Sequence, residues 1–201
     1  MAITKISNSS LASLNRYDSM LAGNAAYKSG IFESIATITV DISGLYSVIF
    51  DNIPQNYSHL HFRGINRTTR PAGVNDSSVV RFNNDSGANY TEHDTMYLTG
   101  SGTGLANSAQ ATSQTQGYFA LCGNNGGYLG PFLVDIMDYT SISKYKITKS
   151  HSMVDNAGNS AYQMGSSLWM STAPITKVEI YSGTGYPFTQ YSTFALYGIR
   201  S

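Results

Sequence analysis

The residues best able to do chemistry in this sequence are histidines and carboxylates close to strand-like segments. His59 and His61 are two residues apart, so on a strand they share one face. With His93 and Asp94 from another segment they could in principle hold a metal ion. Nothing in the spacing forces that arrangement, and two histidines on the solvent face of a strand are typical of ordinary surface residues. We therefore expect no metal site and no cofactor.

Other catalytic patterns are equally weak. Asp135 and Asp138 could flank a glycosidic bond, although aspartate is also a frequent turn residue. The sequence has no GxSxG elbow and no catalytic-cysteine signature, and Cys122 ends an apolar run as a small buried residue would. Residues 100–104 resemble a phosphate loop only in their glycines, because no Lys-Ser/Thr pair follows. The sequence predicts a protein that is not an enzyme.

The tyrosines point to binding. The sequence has 15 of them, and several lie near strand ends or loops, where a tyrosine offers rigid contact area and a hydrogen-bonding tip. Such residues suit contact with a glycan or a protein, and some of them would simply cover sheet edges. Trp169, the one tryptophan, lies in a strand-like segment and is expected in the core. The candidate surface contacts are Tyr128, Tyr139, Tyr162 and Tyr186.

From residue 31 onward, short segments rich in Val, Ile, Tyr, Phe and Thr alternate with clusters of Gly, Asn, Ser and Pro, which indicates an all-β protein. In 58–63, Leu60 and Phe62 should face inward while His59, His61 and Arg63 face outward. Segment 176–180 repeats this scheme, and 132–137 is nearly continuously apolar, which predicts a mid-sheet strand covered on both faces. Eleven strands are predicted, over 31–40, 45–50, 59–65, 78–82, 90–98, 116–121, 132–137, 144–149, 163–169, 176–181 and 193–199.

So many strands in one domain favour two packed sheets, and we predict an antiparallel, jelly-roll-like β-sandwich over residues 31–201. The stretch 99–114, rich in Gly, Ser, Ala and Thr, is predicted to be a flexible loop. Residues 1–30 form a short N-terminal arm in this prediction, with a possible short helix over 9–21. The arm either packs on its own sandwich or reaches out to a neighbouring subunit.

The composition argues against some classes of binding partner. Among 201 residues, twelve Lys and Arg balance twelve Asp and Glu, and only 12% of residues are charged. This balance lacks the basic footprint of a nucleic-acid or anionic-membrane binder. No apolar run approaches a membrane span or a signal peptide. A charge-poor chain with many tyrosines is expected to work as an assembling component, made in the cytoplasm and soluble there.

Several segments resemble virion structural proteins of tailed bacteriophages. They are 14–24 (LNRYDSMLAGN), 32–37 (FESIAT), 53–60 (IPQNYSHL), 81–90 (RFNNDSGANY) and 190–199 (QYSTFALYGI). The resemblance spans nearly the whole chain and is weakest over 99–114 and 152–161. It implies a β-sandwich component of the virion, assembled in the cytoplasm of the bacterial host, and it carries no catalytic residues.

Within that resemblance, two roles compete. A capsid decoration, or cement, protein would clamp neighbouring subunits of the major capsid protein, usually as a symmetric oligomer, here expected to be a homotrimer. A tail-fibre or receptor-binding protein would instead present loops to a host glycan. Outside virions, a carbohydrate-binding module is the alternative. The compact domain and its arm favour decoration, with the arm gripping its partner through apolar anchors and an Arg/Tyr pair. Those arm residues are Leu11, Leu14, Arg16, Tyr17, Met20 and Leu21.

Overall fold

A computed structural model describes residues 32–71, 76–100, 103–124, 128–155 and 160–200. These ranges form twelve strands. In chain order they are β1 (Phe32–Thr39), β2 (Ser47–Phe50), β3 (His59–Asn66), β4 (Asp76–Phe82), β5 (Tyr90–Gly100), β6 (Thr103–Gln114), β7 (Gly117–Cys122), β8 (Gly130–Met137), β9 (Lys146–Asp155), β10 (Ser160–Trp169), β11 (Val178–Ser182) and β12 (Thr193–Ile199). The predicted arm over 1–30, its helix and its six candidate contact residues lie outside the described ranges.

The strands form two antiparallel sheets packed as a sandwich. The large sheet has the order β1-β12-β3-β8-β9-β10-β5-β6, and the small sheet has the order β2-β11-β4-β7. Strands 1-12-3-8 opposite 2-11-4-7 make up a jelly roll. Two hairpins extend its large sheet: β5–β6 is inserted between β4 and β7, and β9–β10 between β8 and β11. The predicted fold class is confirmed.

Side-chain alternation determines which face of each strand is buried. Leu60 and Phe62 are fully buried while Arg63 is exposed, and Val178 and Ile180 are fully buried, as predicted. The inward side chains form the main core between the sheets, where phenylalanine rings pack edge-to-face or tilted at centroid distances of 4.9–5.5 Å. These rings, in order of contact, are Phe50, Phe62, Phe119, Phe132, Phe194 and Phe188.

Two predictions about strands are wrong. The stretch 99–114 is not a flexible loop, because Thr103–Gln114 is a strand paired along β5. Segment 132–137 does lie mid-sheet, between β3 and β9, but only one of its faces is covered. Phe132, Val134 and Ile136 are buried, whereas Leu133 is 44% exposed. The small sheet covers the inner face of the large sheet, and no described residue covers the outer face of β8.

Candidate binding surfaces

The outer face of the large sheet is the surface turned away from the small sheet, and it is unusually apolar. Antiparallel pairing places its residues in rows across the strands. One row runs Arg63–Leu133–His151–Met164, and the next runs His61–Asp135–Lys149–Ser166–His93. The large apolar side chains exposed on this face are Phe32, Ile65, Tyr97, Leu133, Met137, Ile147, Met153, Tyr162 and Met164. Exposed apolar side chains grouped on one face make the outer face a candidate contact surface.

Two grooves lie side by side on the outer face. The first, of about 680 Å³, runs over β3, β8, β9 and β10 and is lined by Arg63, Leu133, His151 and Tyr162 among others. At its side the Tyr162 hydroxyl lies 3.1 Å from His151 Nδ1. The second groove, of about 500 Å³, runs over β9, β10, β5 and β6. Its lining includes Lys149, and since His151 lines the first groove, the two meet along β9.

The titratable groups on and near this face are held in simple pairs. His61 Nδ1 lies 2.6 Å from Asp135 Oδ1, and the backbone N–H of Asp138 donates to His59 Nδ1 at 3.0 Å. Lys144 Nζ lies 2.7 Å from Asp138 Oδ2, and this hydrogen bond lowers the pKa of Asp138. Asp135 and Asp138 therefore each have a basic partner. Among the described residues, no three His, Cys, Asp or Glu side chains are grouped so that they could hold a metal ion.

Cys122 is buried in the main core. Burial raises the pKa of its thiol, so the thiol stays protonated at neutral pH. Because the thiolate is the reactive form, Cys122 is a packing residue, as its place at the end of an apolar run predicts. Trp169 is also buried, as expected, and its indole N–H donates to Asp85.

A second apolar surface lies on two loops at one end of the sandwich. The β1–β2 loop and the loop before β12 are joined by paired backbone hydrogen bonds between Leu45 and Phe188, at 3.1 and 2.7 Å. The large side chains that these loops expose form what we call the end-loop patch, which consists of Ile42 (85% exposed), Tyr46 (73%), Tyr186 and Tyr191. These residues lie on backbone held by hydrogen bonds, so the patch is a preformed surface.

The four tyrosines predicted as surface contacts have different environments. Tyr162 is exposed in the first groove of the outer face, and Tyr186 is exposed in the end-loop patch. Tyr128 is exposed next to an undescribed segment. Tyr139 is fully buried, and its hydroxyl donates to the carbonyl oxygen of Pro54, so it is not available for a surface contact. The structure does not bring these tyrosines together into one site.

Several residues of the outer face were not among the predicted site residues. Arg63, Lys149, His151 and Met153 come from strands that are distant in sequence, and only the pairing of β3, β8, β9 and β10 puts them side by side. Of these residues, the sequence predicts an outward position only for Arg63. No signal in the sequence pairs β9 with β8, so the surface as a whole could not be assembled from the sequence.

No protein-family model and no curated protein matches this sequence. Among the described residues, no helix is long and apolar enough to cross a membrane.

Proposed function

We propose that the protein is a structural component of a bacteriophage virion that works by binding, without catalysis. In this proposal it is a capsid decoration protein, it acts as a homotrimer, and its partner is the major capsid protein. The jelly-roll sandwich supports a structural role only in general terms, because the same architecture serves many functions. The proposal therefore depends on the surfaces that the sandwich presents.

The end-loop patch is the observation that carries the proposal. Its side chains are large, apolar or amphipathic, and they extend from loops at one end of the sandwich. Tyrosines are enriched in the centres of protein interfaces, where a few residues supply most of the binding energy, and an exposed isoleucine beside them adds apolar area to bury. Burying Ile42 and Tyr46 against a capsid subunit would remove them from water. We infer that this end of the sandwich faces the particle.

A double variant in the patch tests the proposal. Ile42→Asp with Tyr46→Ser should leave the fold intact, since both side chains are exposed, and should weaken binding to particles that lack the protein by about tenfold or more. Co-sedimentation with such particles measures the binding. The matched control is Ile142→Asp, because Ile142 is 78% exposed in the β8–β9 connection at the opposite end of the large sheet. Equal binding by the double variant and the wild type would contradict the proposal.

A tail-fibre or receptor-binding protein that recognises a host glycan is the second candidate. The specific observation in its favour is the outer face, where Tyr162, His151 and Arg63 line an open groove. Aromatic and hydrogen-bonding groups of this kind suit sugar rings. Labelling intact virions with an antibody against the protein distinguishes the two candidates, because a decoration protein is detected over the head and a receptor-binding protein at the tail.

A further inference from the structure

The chain has a net charge of zero, but its outer face carries a concentration of basic groups. All four histidines lie on strands of the large sheet, at outward positions of β3, β5 and β9. Arg63 on β3 and Lys149 on β9 share this face. Of the acids on β3, β5, β8 and β9, Asp135 is held by His61 at 2.6 Å, Glu92 and Asp94 flank the outward His93 and so face inward, and Asp155 ends β9. The face therefore presents more basic groups than free acids.

Arg63 and Lys149 are free to bind an anion. Within the described ranges, neither of them forms an ion pair. Lys149 pairs across the strands with Asp135, but that carboxylate contacts His61 instead. We call the four side chains Arg63, His93, Lys149 and His151 the basic band. Exposed cations without a partner acid are available to an anionic ligand at little cost in desolvation.

The basic band has a regular spacing. Its members come from β3 (Arg63), β9 (Lys149 and His151) and β5 (His93), and one strand, β8 or β10, lies between each of these strands and the next. Neighbouring strands lie about 4.8 Å apart, so successive cations are about 10 Å apart across the strands. That distance is close to the length of a disaccharide. Leu133 lies between Arg63 and His151 in one row, with Met164 next to His151, and Ser166 lies between Lys149 and His93 in the other row.

We propose that the outer face binds an acidic polysaccharide that lies across the strands from β3 to β5. Carboxylate or sulfate groups, one per disaccharide, would contact Arg63, Lys149 and His93. The apolar faces of the sugar rings would lie on Tyr162 and Met164, which are exposed beside the two grooves. The end-loop patch plays no part, so this binding does not depend on the proposed attachment to a capsid.

Charge density favours a polysaccharide over a nucleic acid. A nucleic acid presents a phosphate at every nucleotide, and its binding depends on many simultaneous phosphate contacts. The outer face offers two permanent cations, Arg63 and Lys149, on strands that have one strand, β8, between them. Such sparse cations interleaved with apolar side chains match a chain with sparse anions and apolar ring faces. An acidic protein segment is the remaining competitor, and the experiment includes it.

Isothermal titration of the full chain with four probes tests the inference. The probes are a hyaluronan oligosaccharide, which has one carboxylate per disaccharide, a neutral dextran of the same length, single-stranded poly(dA) and polyglutamate. We expect the hyaluronan oligosaccharide to bind with a submillimolar Kd that weakens with salt, and the other three to bind at least tenfold more weakly. No binding of the hyaluronan oligosaccharide, or equal binding of any of the other three probes, would overturn the inference.

Variants identify the site. Arg63→Met with Lys149→Met should weaken binding of the hyaluronan oligosaccharide by about tenfold, since two exposed ion pairs are lost. The control, Lys177→Met, removes a cation just before β11 of the small sheet and should bind like the wild type. An unchanged Kd in the double variant with an unchanged melting temperature would contradict the assignment. Because these assays use purified protein, their failure leaves particle binding through the end-loop patch as a separate result.

Discussion

Asp85 is the residue that fixes the connection between β4 and β5 to the core. Its carboxylate accepts hydrogen bonds from the Trp169 indole at 2.7 Å and from the Gly87 backbone at 2.8 Å, and Asn89 donates to both of its oxygens. Burial by itself raises the pKa of Asp85, but the hydrogen bonds from Trp169, Asn89 and Gly87 outweigh burial and leave the pKa below its ordinary value. The ionised form is therefore stabilised by folding.

Replacing this carboxylate should lower stability in a pH-dependent way. Asp85→Ala is expected to reduce the free energy of unfolding by about 2 kcal/mol at pH 7, because the buried indole N–H loses a charged acceptor. The folded-state pKa is lowered, so the carboxylate's contribution is complete above the ordinary aspartate pKa of about 4 and is lost as the pH falls through the lower folded value. Urea unfolding followed by Trp169 fluorescence measures this. Asp51→Ala, at an exposed loop position, is the control. Equal losses in the two variants would contradict the role of Asp85.

At the scale of the element, β8 shows that a residue pattern can predict where a strand lies in a sheet but not how many of its faces are covered. Its apolar residues correctly predicted a strand in the middle of a sheet, since an edge strand of that composition would invite aggregation. The pattern could not show that Leu133 and Met137 face outward, because a continuous apolar run looks the same whether one or two faces are covered. The exposed apolar residues of β8 then became part of the outer face.

Strand β6 is not predicted by the sequence, because its composition is not typical of a strand. Its residues are mainly Ala, Ser, Thr and Gln, which lack the Val, Ile and aromatic enrichment of predicted strands. It is the last strand of the large sheet and pairs on one side with β5, and most of its residues from 108 onward are exposed. An edge strand with little to bury needs no alternation of polar and apolar residues. Hydrogen bonding along β5 forms it, and that pairing is not encoded locally.

The two faces of β8 should respond differently to truncation. Phe132→Ala removes a ring that packs on Phe119 and Phe194, and it should lower the free energy of unfolding by about 3–5 kcal/mol. Leu133→Ala removes a side chain from the outer face and should change it by no more than about 0.5 kcal/mol. Denaturant unfolding of both variants measures the contrast. A loss at Leu133 as large as that at Phe132 would mean that the outer face is covered within the chain itself.

At the scale of the whole molecule, the two candidate surfaces are separate. The end-loop patch lies on loops at one end of the sandwich, whereas the basic band lies on strands of the large sheet. The acids that balance the basic band include Asp41 and Asp51 in loops and Glu179 on the small sheet. A neutral chain therefore presents a locally basic face. Such a protein could bind a particle with one surface and a host polysaccharide with the other.

The last prediction concerns the first residues of the chain. Every buried residue of the main core lies between Val40 and Leu196, so deleting residues 1–24 should leave the folded sandwich and its melting temperature unchanged. If Leu11, Leu14, Arg16, Tyr17, Met20 and Leu21 grip a virion partner, the same deletion should abolish particle binding. Circular dichroism and co-sedimentation with particles measure the two effects, and Ile142→Asp serves as a full-length control. Particle binding that survives the deletion would exclude the arm, and particle attachment would then depend on the end-loop patch alone.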